Sequence, residues 1–154
     1  MPKLAIGKTV PDFALESSAG AWRLKDNLGS KLVLYFYPKD NTSGCTAEGE
    51  AFRDLHAQFK RAKTVVLGVS PDSIASHTRF RAKYQFPFDL LADPEKQACT
   101  LFEVYKEKSM YGRTYMGVER STFLLDEKNV LRAEWRKVKV GGHVDEVLAA
   151  ARSL

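Results

Sequence analysis

Residues 31–48 read Lys31-Leu-Val-Leu-Tyr-Phe-Tyr37-Pro38-Lys-Asp-Asn-Thr42-Ser-Gly44-Cys45-Thr-Ala-Glu48. The run from Lys31 to Tyr37 is rich in apolar β-formers and reads as a buried central strand. Pro38 ends it, because proline has no N–H to give to a ladder. From Lys39 to Cys45 the residues are turn formers. A helical pattern takes over from about Thr46 to Arg61, where Phe52, Leu55, His56 and Phe59 recur at spacings of three and four and share one face. A strand, a turn and a helix thus meet at a cysteine in the helix's first turn.

Working outward, Thr64–Ser70 reads as a second buried strand. Pro71-Asp72-Ser73 then opens a helix over about 73–84, with Asp72 or Ser73 as its cap. Phe88–Leu91 forms a short strand. Asp93-Pro94-Glu95 opens a helix carrying Cys99, with Asp93 as N-cap and Pro94 at the first helical position. Tyr111–Gly117 reads as an exposed loop or hairpin. Ser121–Leu125 and Val130–Arg136 make a hairpin about Asp126-Glu-Lys-Asn129. Gly141-Gly142 breaks the chain before a C-terminal helix that starts near His143. Early alternation followed by a late hairpin and helix predicts an α/β protein, a central mixed β-sheet with helices on both faces. The order β-α-β, then β-β-α, is the thioredoxin-like arrangement.

The bulk properties narrow the field. At 154 residues the chain is expected to be one domain over 1–154, with a core large enough to need no disulfide staples. Its start, MPKLAIGKTVPDF, has no apolar h-region, so no secretory signal is read and the cytoplasm is the expected compartment. The longest apolar run, Leu32–Tyr37, is far too short to span a membrane. Two cysteines far apart, without C-x-x-C or H-x-x-x-H spacing, suggest no metal site. The net charge of +5 is spread over Lys60-Arg61-Ala62-Lys63, Arg79–Lys83 and Arg136–Lys139. Acidic neighbours and the lack of a nucleic-acid motif make these a solvated surface.

Cys45 is the residue with chemical promise. Free N–H groups and the positive end of a helix dipole favour a thiolate in the first turn. If such a sulfur attacked a peroxide, the departing oxygen would need hydrogen-bond donors as charge grows on it. Thr42 can bring a hydroxyl to the same pocket, and a guanidinium would add a fork of permanent charge. Each residue also has a plain structural reading. Thr42 or Ser43 can cap a helix, Gly44 can permit a tight turn, and Pro38 can end a strand. No histidine (His56, His77, His143) forms a protease-like constellation with Cys45 in sequence, and Trp22 and Trp135 read as packing residues.

Taken together, Pro38-Lys39-Asp40-x-Thr42-x-Gly44-Cys45-Thr46-x-Glu48 and Phe52-Arg53-Asp54 resemble the active-site segment of the peroxiredoxins, and most closely their bacterioferritin comigratory protein or peroxiredoxin Q branch. The likeness extends to Gly7 with Pro11-Asp12-Phe13-x-Leu15, Gly68-Val69-Ser70-x-Asp72, Phe86–Leu91 with Asp93, and Arg120–Asp126, in the expected order. It implies a thiol peroxidase that reduces hydrogen peroxide and organic hydroperoxides without metal or cofactor. Cys45 would be the peroxidatic cysteine that becomes a sulfenic acid. Thr42 would hold the peroxide and contact the sulfur, Pro38 would shield the thiolate and shape the pocket, Arg120 would stabilise the thiolate and orient the peroxide, and Glu48 would hold that arginine. Spacing alone does not bring Arg120 to Cys45.

The chain also departs from the branch. Where many members carry a resolving cysteine five residues on, it has Glu50. Where others carry one on the next helix, it has Arg79-Phe-Arg-Ala-Lys-Tyr84. Cys99 remains, read as a partly buried bystander, the sharper alternative being an atypical resolving thiol. The expectation is therefore one-cysteine behaviour, with the sulfenate recycled by an external thiol such as thioredoxin, glutaredoxin or glutathione. Branch resemblance favours a monomer, a dimer being the alternative. A redox relay to a partner protein is the rival use of the same thiol.

Overall fold

Lys31–Phe36 forms β3, and all of it is buried. The reason is its place in a seven-stranded sheet of order β2 (Gly20–Arg23), β1 (Ala14–Ser17), β5 (Leu90–Ala92), β4 (Thr64–Ser70), β3, β8 (Ser121–Leu125), β9 (Leu131–Trp135). On one side β3 pairs in parallel with β4; on the other it pairs antiparallel with β8. β5 extends the parallel part, and β1, β2 and β9 complete the sheet antiparallel. A separate hairpin joins β6 (Tyr105–Met110) to β7 (Arg113–Val118). The computed structural model describes residues 4–154; the first three residues of the N-terminal stretch examined for a signal lie outside them. No helix among the described residues is long and apolar enough to cross a membrane.

Side chains alternate across β3 and divide the core in two. Leu32, Leu34 and Phe36 face a layer containing Phe13, Cys99, Phe102 and Phe123. Val33, Tyr35 and Tyr37 face one containing Cys45, Phe52, Phe59, Phe80 and Val147. The first layer takes α4 (Gln97–Leu101); the second takes α1 (Ser43–Asp54), α2 (His56–Arg61), α3 (Ile74–Tyr84) and α5 (His143–Arg152). The mixed sheet, the helices on both faces and the hairpin about residues 126–129 are as expected from the sequence.

Three local expectations need correction. The helix read from Thr46 to Arg61 starts at Ser43 and is interrupted at Leu55, whose φ of −101° and ψ of 4° are not α-helical, so α2 is a separate turn and a half. Asp93 does not cap α4. A turn closed by the Lys96 N–H on the Asp93 carbonyl at 3.0 Å delays the helix to Gln97, and Lys96 is the residue before it, at φ 58°. The Asp93 carboxylate accepts instead from the Cys99 N–H at 2.8 Å. Cys99 itself is fully buried rather than partly so.

Gly49 shows how tightly α1 is set down. A Cβ there would lie 2.5 Å from Cζ of Phe86, a buried ring stacked on Phe88 at 5.2 Å and edge-on to Phe80 at 5.0 Å. Alanine in place of a mid-helix glycine normally gains about 1 kcal/mol. Overpacking of a fixed core costs about 1–3 kcal/mol, and this ring has nowhere to go. Gly49→Ala is therefore expected to lower stability by about 1 kcal/mol in urea denaturation; a gain would mean that Phe86 yields.

Candidate active site

The loop from β3 into α1 is held by buried polar contacts. Tyr37 Oη donates to Asp40 Oδ1 at 2.6 Å, and Ser76 Oγ donates to Asp40 Oδ2 at 2.7 Å. His77 Nδ1 meets the same Oδ2 at 2.7 Å, while its Nε2 meets the Leu91 carbonyl at 2.8 Å. The Asp40 N–H donates to Asp72 Oδ2 at 2.8 Å. α3 thus fixes where α1 begins. Thr42 is the N-cap, with extended backbone at φ −87° and ψ 157°. Its carbonyl accepts the Thr46 N–H at 2.9 Å. Its hydroxyl donates to the Lys39 carbonyl at 3.0 Å and makes no side-chain cap. The first-turn N–H groups therefore stay open, and Cys45, the third residue of α1, sits among them, 1% exposed.

Sheet register delivers the arginine that sequence spacing could not. β8 pairs Ser121 with Phe36, so Arg120 lies just beyond the end of β3, where the chain turns toward Cys45. Its backbone is anchored by the Val138 N–H on its carbonyl at 3.0 Å. Arg120 Nη2 donates to Cys45 Sγ at 3.3 Å, and Nη1 donates to Glu48 Oε1 at 2.6 Å. Cys45 and Glu48 lie one turn apart on α1 and face the same way, so one planar guanidinium reaches both. Gly44 makes room for it: a Cβ there would lie 3.1 Å from Arg120 Nη2. That close approach was invisible in the sequence, as was the Asp40–His77 contact.

Thr42 and Pro38 flank this cluster on the loop, Thr42 exposed and Pro38 half-buried. The Thr42 hydroxyl has the Lys39 carbonyl rather than the sulfur as its partner. Cys99 is not part of the cluster. It lies in the layer on the other side of the sheet from Cys45, and burial, helped by the Asp93 carboxylate, pushes its thiol well above the ordinary range.

Burial shapes the neighbouring titrations. Glu48 is pushed up to about 7 by burial, against the pull of Arg120, and its Oε2 has no partner among the described residues. Burial alone would lower Arg120, but the Glu48 and Cys45 charges outweigh it and hold the guanidinium above its ordinary range. His143, at the start of α5, contacts Thr122 Oγ1 through Nε2 at 2.8 Å; burial and then Arg120 lower it to about 4. Tyr35 is pushed well up, chiefly by burial and then by the charges of Glu48 and Cys45, and stays a neutral wall.

Comparison with known proteins matches residues 6–134 to the AhpC/TSA family. The chain is 46% identical to peroxiredoxin Bcp of Bacillus subtilis over 152 residues, covering 98% of this chain and 97% of that protein. A structure of the Xanthomonas campestris bacterioferritin comigratory protein, from work on its alkyl peroxide reduction activity, superposes with a TM-score of 0.87 at 47% identity, covering 92% of this chain and 90% of that one. Peroxiredoxin Q of Xylella fastidiosa gives 0.92 at 42% identity, covering 99% and 98%.

Glu48 and His143 bear on stability in opposite directions. An unfolded chain releases the Glu48 proton near 4.5 and the fold keeps it to about 7. The unfolded chain then binds fewer protons in that window, and stability falls as pH rises through it. The unfolded chain protonates His143 near 6.5 and the fold only near 4, so stability falls as pH drops between those values. In the native chain the slopes oppose each other. Glu48→Gln leaves the histidine slope alone, so its melting temperature should fall steadily from pH 6.5 to 4 while the native profile stays flatter. Parallel profiles would mean that Glu48 does not retain its proton in the fold.

Proposed function

The chain belongs to the AhpC/TSA family, as a peroxiredoxin of the Bcp or peroxiredoxin Q branch and a thiol-dependent peroxidase, and from that premise we propose that it reduces hydrogen peroxide and organic hydroperoxides through a sulfenic acid on Cys45 and is recycled by an external thiol. The observation that carries this reading is the single guanidinium of Arg120 shared between Cys45 Sγ and Glu48 Oε1 at the N-terminus of α1.

The Cys45 thiolate attacks one peroxide oxygen in line with the O–O bond. The S–O bond forms, the O–O bond breaks, sulfur is oxidised by two electrons, and the second oxygen leaves as hydroxide or alkoxide and takes a proton from water. Arg120 supplies fixed positive charge beside the reacting atoms, and the open first-turn N–H groups supply donors. Thr42 has spent its donor on the Lys39 carbonyl, so its oxygen is left to accept the peroxide O–H and turn the substrate. Pro38 walls the loop side, and Gly44 keeps the approach clear. An external thiol then attacks the sulfenic acid, releasing water and leaving a mixed disulfide. A second thiol frees Cys45 and departs as the disulfide of the reductant.

Several observations support the one-cysteine form. Glu50 is paired with Arg53 at 3.7 Å, and the sheet lies between Cys45 and Cys99. The working unit we propose is a monomer, as the branch resemblance implies. Recycling by external thiols needs a reducing compartment such as the cytosol.

Treatment of the reduced protein with one equivalent of hydrogen peroxide should add about 16 Da, one oxygen, at Cys45 within seconds. Cys45→Ser should abolish the gain, and Cys99→Ser should keep thiol-dependent turnover. A loss of about 2 Da with Cys45 joined to Cys99 would overturn the one-cysteine form, and an unchanged mass would overturn the reading itself. Arg120→Lys keeps a charge but loses the fork that spans both partners. It should slow the oxidation step about a hundredfold in stopped-flow measurements.

A further inference from the structure

His77 lies on α3, fully buried, and both of its ring nitrogens are engaged. Nε2 meets the Leu91 carbonyl of β5 at 2.8 Å. A carbonyl can only accept, so Nε2 carries a hydrogen. Nδ1 meets Asp40 Oδ2 at 2.7 Å. That carboxylate already accepts from Tyr37 Oη on Oδ1 and from Ser76 Oγ on Oδ2. One further proton must therefore lie on the line from Nδ1 to Oδ2, because without it two buried lone pairs would face each other. The bond between ring and carboxylate is thus obligatory to the packing, and it spans from the sheet to the loop that leads into α1.

The place of Asp40 in that loop gives the bond its consequence. Asp40 sits inside the small ring closed by the Thr42 hydroxyl on the Lys39 carbonyl at 3.0 Å. The next residue, Asn41, has a φ of 64°, and this left-handed turn sends the chain into Thr42. The Asn41 side-chain oxygen is held by Tyr84 Oη at 3.2 Å and Lys83 Nζ at 3.4 Å, again from α3. The loop thus takes its position from α3 and, through His77 and the Leu91 carbonyl, from β5. Arg120 reaches Cys45 from β8, on the opposite flank of β3 from β4 and β5. The charge on the sulfur and the place of the loop therefore have separate supports.

We infer that His77 is a positioning residue for peroxide reduction: through Asp40 it holds the Thr42 oxygen and the open first-turn N–H groups where they meet the peroxide. The inference rests on the peroxidase reading above. No bond to substrate forms or breaks at His77, and its protons are not consumed.

Amides can replace one half of the ring at a time. An asparagine amide falls near the place of Nδ1 and a glutamine amide near that of Nε2. His77→Asn can still donate to Asp40, whereas His77→Gln reaches only the Leu91 carbonyl. Oxidation of the reduced protein by hydrogen peroxide, followed by stopped flow with no thiol present, should be about tenfold slower in His77→Gln and within about threefold of native in His77→Asn. Both should keep the native fraction of thiolate, read from its ultraviolet absorbance, because Arg120 stays in place. A His77→Gln rate within about twofold of native, an equal loss in the two variants, or a loss matched by a fall in thiolate overturns the inference. Should His77→Gln fail to fold by circular dichroism, Ser76→Ala carries the test, since it removes a donor from the same Asp40 oxygen at a half-buried residue. It should oxidise about threefold more slowly, and a native rate overturns the inference. The peroxidase reading fails separately, if peroxide leaves Cys45 of the native chain unoxidised.

Discussion

One arginine side chain ties together the buried groups at the start of α1. Arg120 holds a buried carboxylate with one nitrogen and a buried sulfur with another, at 2.6 and 3.3 Å. A charge taken out of water is costly unless its partners are positioned in advance. Here the positioning comes from the sheet. The antiparallel pairing of β8 with β3 sets Arg120 at the point where β3 gives way to the loop, and the same loop delivers Cys45. Glu48 completes the arrangement because helix periodicity sets it on the face of Cys45. Gly44 completes it by withholding a side chain. Removing any member would leave a neighbour buried without its counterpart.

The same economy explains the two-layered core. β3 alternates between one layer built of interlocked Phe13, Phe36, Phe102 and Phe123 and another holding Tyr35, Phe52 and Cys45. The layer with the cysteine also carries the polar machinery, including Asp40, His77, Glu48 and His143. The aromatic layer carries the second cysteine in an environment that suppresses its ionisation. Two thiols in one small chain are thereby given opposite characters by which side of one strand they face.

Much of this was legible in the sequence, and the reason is local. β3, β4, the 121–135 hairpin and the helix after Gly142 announce themselves through apolar runs, period-two alternation and breakers. The position of Cys45 follows from strand, turn and helix in succession. β1 and β2 were missed because Ala14–Ser17 and Gly20–Arg23 are short edge strands with little apolar content. Asp93 was misread because its carboxylate reaches past the helix start to the Cys99 N–H, a tertiary choice that local capping preference does not contain. Arg120 was reachable only through family resemblance, since a separation of 75 residues from Cys45 is bridged by register alone. The donor of Thr42 and the clearance at Gly44 are properties of assembled space.

The break at Leu55 divides what would otherwise be one rigid rod from Ser43 to Arg61, about 28 Å long at 1.5 Å per residue, with Cys45 buried in its first turn. The interruption divides that rod into α1, which carries Cys45, and α2, which keeps Phe59 in the core. A local opening confined to α1 would therefore cost less than one that carried α2 with it, because Phe59 could stay in the core.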